Sequence, residues 1–174
     1  MYIPHDHFDP LMSVRRLSDT VLVIGLGSPI MTDDAIGLRA AEAVERMMLT
    51  DVDVLQEAIG GLDIIPMIRG YRNVVIVDAI KTCVYEPGTV ILFNPEDFEP
   101  TVANASAHEF NLATAMRIGR QLEPDMMPET VRFVAIEVSD IMTVGETMTE
   151  AVENALPDAV RAVVNIIEEF QRSI

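Results

Sequence analysis

Val21-Leu22-Val23-Ile24-Gly25-Leu26-Gly27-Ser28-Pro29-Ile30-Met31-Thr32-Asp33-Asp34 is the stretch on which the reading of this chain turns. Four consecutive aliphatic residues closed by Gly25 have no polar face, which is the pattern of a strand buried on both sides of a parallel sheet. A helical pattern begins at Asp33-Asp34. Ile36, Ala40, Ala43 and Met47 recur at i, i+4, i+7 and i+11, while Arg39, Glu42, Glu45 and Arg46 point elsewhere. Thr32 or Asp33 is expected to cap this helix, where acidic residues suit the positive end of the helix dipole. A strand, a glycine-rich turn and a helix together point to a parallel core.

The same punctuation continues outward. Val52 to Leu55 reads as a second strand, and Leu62 to Ile68 as a short helical segment weakened by Pro66. Val74-Val75-Ile76-Val77 is a third buried strand, ending at Asp78. Pro87-Gly88 marks a turn before a strand from Thr89 to Phe93, so a hairpin with an antiparallel strand is possible there. Residues 94–107 read as a long loop. A helix is expected from His108 to Gln121, with Leu112, Ala113 and Met116 on one face. Val131 to Val138 is a fifth strand, and Thr149 to Phe170 a long helix broken or bent at Pro157. Strands alternating with helices predict an α/β fold: one three-layer domain, its twisted, mostly parallel five-stranded sheet covered by helices on both faces. That domain is expected over residues 19–174, after an N-terminal extension, residues 1–18, that lacks periodicity and is partly flexible.

The chain has 174 residues, enough for a sizeable core in a single domain. Its 28 acidic residues against 12 Lys plus Arg give a formal charge of −16, which repels nucleic acid and anionic membrane surfaces and attracts cations. Acidity of this kind also simply favours solubility. One cysteine, Cys83, excludes an intrachain disulfide and a cysteine-rich zinc motif. Arg15-Arg16-Leu17-Ser18 superficially resembles a twin-arginine signal, but the apolar run after it is short and enters a glycine turn and an acidic pair, as a core strand does. No stretch has transmembrane length. A cytoplasmic protein is expected.

Ligands of open α/β sheets gather beyond the carboxyl ends of the strands. Asp34 at a helix start, Asp78 at the end of the third strand and His108 at the start of a later helix can all reach one such edge. Two carboxylates and an imidazole, without thiolate, suit a borderline divalent ion such as nickel or zinc, with coordination positions left open. Singly, each has a plainer reading: a first-turn acid, a turn cap, a packed histidine. Gly25-x-Gly27 is no dinucleotide fingerprint, since Ile30 stands where the third glycine belongs and Asp33-Asp34 would repel a pyrophosphate; nor does a P-loop lysine follow. Ser28 lacks a nucleophile elbow, Ser106 and Cys83 lack an activating context, and His5-Asp6-His7 lies in the extension. The eleven methionines mostly fall at core-like spacing, and gap filling explains them better than a soft-metal site.

The run from Val23 to Gly37 resembles the opening motif of the hydrogenase maturation endopeptidases. Val75-Ile76-Val77-Asp78-Ala79 looks like their second motif, and Ala107-His108-Glu109 with Leu112 is similar to their third. The resemblance extends over roughly residues 20 to 170, in order and in spacing. It implies a five-stranded sheet between helices and, at Asp34, Asp78 and His108, a catalytic and metal-binding trio. These residues would recognise nickel that arrives in a hydrogenase large-subunit precursor, so the protease has no cofactor of its own. Its action would be removal of the precursor's C-terminal extension. Departures are Ser28 for the family's asparagine, Asp34 for a frequent glutamate, and Glu57-Ala58-Ile59 where Gly-Gly-Thr is common. Glu57 either adds a polar group near the site or is a solvated loop acid. The alternative is a non-catalytic nickel-sensing or chaperone protein for hydrogenase assembly. A monomer is expected, with the precursor as its partner and no nucleic acid or membrane.

Overall fold

The computed structural model describes residues 17–59, 61–94 and 107–173. Residues 1–16, and with them His5-Asp6-His7 and nearly all of the expected extension, lie outside that set, as do residues 95–106 with Ser106. The strands are β1 (Ser18–Leu26), β2 (Val52–Glu57), β3 (Tyr71–Ile80), β4 (Val90–Phe93) and β5 (Thr130–Glu137). The α-helices are α1 (Ile36–Glu45), α2 (Ile65–Ile68), α3 (Ala107–Leu122) and α4 (Glu150–Arg172). They form the expected α/β fold. One five-stranded sheet has the order β2-β1-β3-β5-β4, parallel throughout except for β4, which runs antiparallel to β5.

Side-chain alternation along the strands sorts the core into two layers. Val21, Val23, Val75 and Val77 join Val134 and Ile136 under α1 and α4, against Ile36, Ala40, Val44, Val163 and Ile167. Leu22, Ile24, Val74 and Ile76 face the other way, onto Ile64, Ile68, Ala115 and Met116 of the α2–α3 side. Both faces of β1 and β3 are therefore dry, and this explains why their sequences are unbroken aliphatic runs rather than alternating ones.

Several local expectations are corrected. β3 does not end at Asp78; it continues to Ile80, and Asp78 pairs with Ala135 within the ladder. Its half-buried position lets an ionisable side chain stand inside a strand. Pro66 opens α2 instead of weakening it, because the first helical turn needs no N–H from that residue. Pro87-Gly88 makes no hairpin with β3: the chain crosses to the outer side of β5, where Gly88, at φ 90°, donates its N–H to the Glu137 carbonyl at 2.8 Å. The buried stripe of α1 is Ile36, Gly37, Ala40, Ala41 and Val44, and Met47 lies past the end of the helix, 47% exposed. Small residues on that stripe let the helix approach β1 closely; a β-carbon at Gly25 would lie 2.6 Å from the Ala41 β-carbon. Finally, α4 runs without interruption through Pro157.

Candidate functional site at the switch point of the sheet

From β1 the chain crosses through α1 to β2 on one side, and β3 then lies on the other side of β1. This reversal makes the region beyond the carboxyl ends of β1 and β3 the switch point of the sheet, the position at which open α/β sheets take their ligands. Asp34 and Asp78 come from the segments that border it. Asp34 lies in a 3-10 turn, Thr32–Ala35, between β1 and α1. Its Oδ2 accepts the Ser28 N–H at 2.8 Å, so the carboxylate is tied across the loop that leaves β1. Gly27, at φ 139°, makes room for this turn: a β-carbon there would lie 1.9 Å from the Asp34 carbonyl oxygen. Asp78 lies near the end of β3, with the parity of Val74 and Ile76, so its side chain leaves the sheet on the α2–α3 side. Its Oδ1 accepts the Ala79 N–H at 2.8 Å.

His108 is the second residue of α3, one position inside the expected start. From its far end the chain passes through the 3-10 turn Pro124–Met126 into the start of β5. The helix thus runs against the parallel strands, and the backbone at His108 lies toward the carboxyl edge that carries Asp34 and Asp78. The His108 side chain lies outside the described residues. Among the described residues no three His, Cys, Asp or Glu side chains converge to hold a metal ion.

Asp33 is the residue whose part in the site sequence reasoning missed. It is expected as a helix cap, yet the 3-10 turn and α1 have no side-chain cap. Its side chain is instead fully buried, at 0% exposure, and accepts five hydrogen bonds from a distant segment. The Thr149 N–H donates to Oδ1 at 2.7 Å and the Asp140 N–H to Oδ2 at 2.9 Å. The Thr149 hydroxyl, Ser139 hydroxyl and Ser139 N–H complete the set at 3.1, 3.1 and 3.2 Å. Burial by itself pushes the Asp33 carboxyl up, but these bonds outweigh it and hold the group below the ordinary carboxylate range.

A second buried carboxylate, Glu137 at the end of β5, holds the chain that leaves β3. It accepts the N–H groups of Thr82 and Cys83 at 2.9 and 2.8 Å and the Thr82 hydroxyl at 2.6 Å. Cys83 is exposed and adopts φ 59°. The bonds onto Asp33 and Glu137 span 106 to 116 and 54 to 55 residues, respectively, so no local pattern could have pointed to either pairing. Glu57 is the last residue of β2 and half-buried, not part of a solvated loop, and its carbonyl accepts the Gly27 N–H at 3.2 Å.

An α/β domain with two carboxylates at its switch point and a histidine-bearing helix directed to the same edge defines the class, and comparison with known proteins supplies the family. The family model described as hydrogenase maturation protease matches residues 38–166, a span that includes Asp78 and His108 and begins just after Asp34. The chain belongs to the hydrogenase maturation protease family. It is 32% identical over 99 residues to the hydrogenase 2 maturation protease of Escherichia coli K12, a match over 55% of this chain and 60% of that relative's length. To the hydrogenase expression/formation protein HupD of Rhizobium leguminosarum bv. viciae it is 23% identical over 158 residues, covering 86% of this chain and 75% of that one. The fold is that of the hydrogenase maturating endopeptidase HybD of E. coli, with a TM-score of 0.73 at 24% identity over 86% of this chain and 92% of that one. The NiFe hydrogenase maturation protease HybD of Thermococcus kodakarensis gives a TM-score of 0.69 at 24% identity, covering 84% and 98% of the two chains. The non-catalytic alternative is not favoured by this membership.

Proposed function

We propose that the protein is an endopeptidase that removes the C-terminal extension of a hydrogenase large-subunit precursor after recognising the nickel that the precursor carries. The observation that supports the reading is that Asp34, in the turn after β1, and Asp78, near the end of β3, belong to the two segments that border the switch point of the sheet, in a chain of a protease family. In this reading Asp34, Asp78 and His108 donate two carboxylates and an imidazole to the nickel of the bound precursor, a donor set suited to that ion. Holding the metal centre at the switch point holds the scissile peptide there too, so that binding becomes positioning. Two routes to cleavage fit the same arrangement. The nickel polarises the scissile carbonyl, or, as in an aspartic-type endopeptidase, Asp34 or Asp78 takes a proton from the attacking water.

The proposal includes one protease monomer per precursor, no nucleic-acid partner for a chain of formal charge −16, and action in the cytoplasm. The apolar run after Arg15-Arg16 is part of β1, whose Val21 to Ile24 are fully buried, which supports a core strand over an export signal. Among the described residues no helix is long and apolar enough to cross a membrane.

The test is to incubate the pure protein with nickel-loaded and with nickel-free precursor and to read the precursor mass. Loss of the C-terminal peptide only from the nickel-loaded form is the expected result. Binding of a cognate precursor without any cleavage would overturn the endopeptidase reading.

A further inference from the structure

We infer that Asp33 is a positioning residue: its buried carboxylate clamps the segment 139–149 onto the turn between β1 and α1 and so sets the direction of the neighbouring Asp34 carboxylate. In a 3-10 turn successive side chains are about 120° apart around the axis, so a residue fixed inward dictates where the next one points. Asp33 is fixed inward by five donors from Ser139, Asp140 and Thr149. The backbone of the same turn is fastened to the same segment. The Thr32 N–H donates to the Gly145 carbonyl at 2.9 Å, the Asp33 N–H to the Asp140 carbonyl at 3.0 Å, and the Thr32 hydroxyl to the Thr143 carbonyl at 2.7 Å. Thr32 itself adopts φ 33°, a left-handed conformation that a threonine holds only when its surroundings impose it.

A carboxylate suits this arrangement, because both of its oxygens accept, toward the three backbone N–H groups of Ser139, Asp140 and Thr149 and the two hydroxyls. An asparagine would turn its NH2 toward N–H groups. The clamp leaves Asp34 half-buried with its Oδ2 on the Ser28 N–H at 2.8 Å, which makes the Ser28 amide proton a direct reporter of where the Asp34 carboxylate stands. The activity part of this inference rests on the proposed endopeptidase reaction, whereas the Ser28 reporter is read in the free protein and does not depend on it.

The experiment compares the wild type with Asp33→Asn, with Thr149→Val, which deletes one hydroxyl donor and keeps the backbone N–H, and with Val163→Ala, a core truncation away from the clamp. For each, the Ser28 amide resonance is recorded in the free protein, and kcat and KM for tail removal are measured where circular dichroism shows the protein folded. Asp33→Asn is expected to shift the Ser28 resonance and lower kcat about tenfold or more, with KM changed less than about threefold, as for a misplaced group that still binds substrate. Thr149→Val is expected to move both in the same direction by less, and decides the matter should Asp33→Asn fail to fold. Val163→Ala is expected to lower stability and move neither. An unmoved Ser28 resonance in folded Asp33→Asn and Thr149→Val, or a kcat that Val163→Ala lowers equally, would overturn the inference. If the wild type itself cuts no precursor while Ser28 responds as expected, the proposed reaction fails and the clamp stands.

Discussion

Gly37 in α1 packs so closely on β3 that a β-carbon there would lie 2.5 Å from the Val77 carbonyl oxygen, and 2.2 Å from that of Leu26. Asp34 stands in the turn just before Gly37, and Asp78 follows Val77 in the chain. The glycine is therefore what allows the loop bearing one carboxylate to sit on the strand bearing the other. It also accounts for the small residues Gly37, Ala40 and Ala41 on the buried stripe of α1, beside Ile36 and Val44.

Gly37→Ala is expected to force the helix off β1 and β3, since both obstructing atoms are backbone. Overpacking of this kind costs roughly 1–3 kcal/mol. The urea midpoint should fall with the slope of the transition unchanged, and tail removal should fall further than stability explains. A variant with wild-type midpoint and wild-type cleavage would show that the close approach is unimportant.

Asp78→Asn preserves shape, and its side-chain oxygen can still accept the Ala79 N–H that Asp78 accepts at 2.8 Å. Stability should therefore change by less than about 1 kcal/mol. Processing of nickel-loaded precursor should fall more than about 100-fold, beyond the ~10–100-fold typical of residues that merely orient a metal ligand. Normal processing by the folded variant, followed by mass spectrometry, would remove Asp78 from the site.

Asp33 makes the protein sensitive to acid in a defined direction. Burial raises its carboxyl and the hydrogen bonds from Thr149, Asp140 and Ser139 lower it further than that, so its folded value lies below the ordinary 3.8. A depressed folded value means that the stabilisation is fully present above the ordinary carboxylate range and is lost as pH falls through the folded value. Asp140, held low by the hydroxyl and N–H of Thr143 and the N–H of Met142, acts in the same sense. Urea midpoints measured from about pH 6 down to pH 2 should drop steeply below about pH 4 in the wild type and less steeply in Asp33→Asn. Parallel curves would show that Asp33 does not titrate with unfolding.

Pro157 lies on the exposed side of α4, inside the helix. Proline there lacks the N–H that would bond the preceding turn. Pro157→Ala should stabilise the protein, by up to the ~3 kcal/mol that proline costs in a helix interior. A lower thermal midpoint in the variant would mean that the proline serves the packing of α4 on the sheet.

The sequence by itself determined the layer architecture and the candidate residues. Unbroken aliphatic runs such as Val21 to Ile24 and Val74 to Val77 can be dry on both faces only inside a covered parallel sheet, and the 3.6-residue spacing marks the covering helices. Asp34, Asp78 and His108 were legible because each interrupts or follows such a pattern and because the opening run matches a family motif. Tertiary structure alone decided the strand order, and with it the switch point that the segments bearing Asp34 and Asp78 border. It also decided that β4 pairs with β5 and not with β3, and that Asp33 is a buried acceptor rather than a helix cap. These facts depend on hydrogen bonds such as that from Thr149 to Asp33, across 116 residues of chain. Periodicity and capping rules describe interactions within a few residues of one another; which loop closes on which carboxylate is settled only when the sheet has assembled.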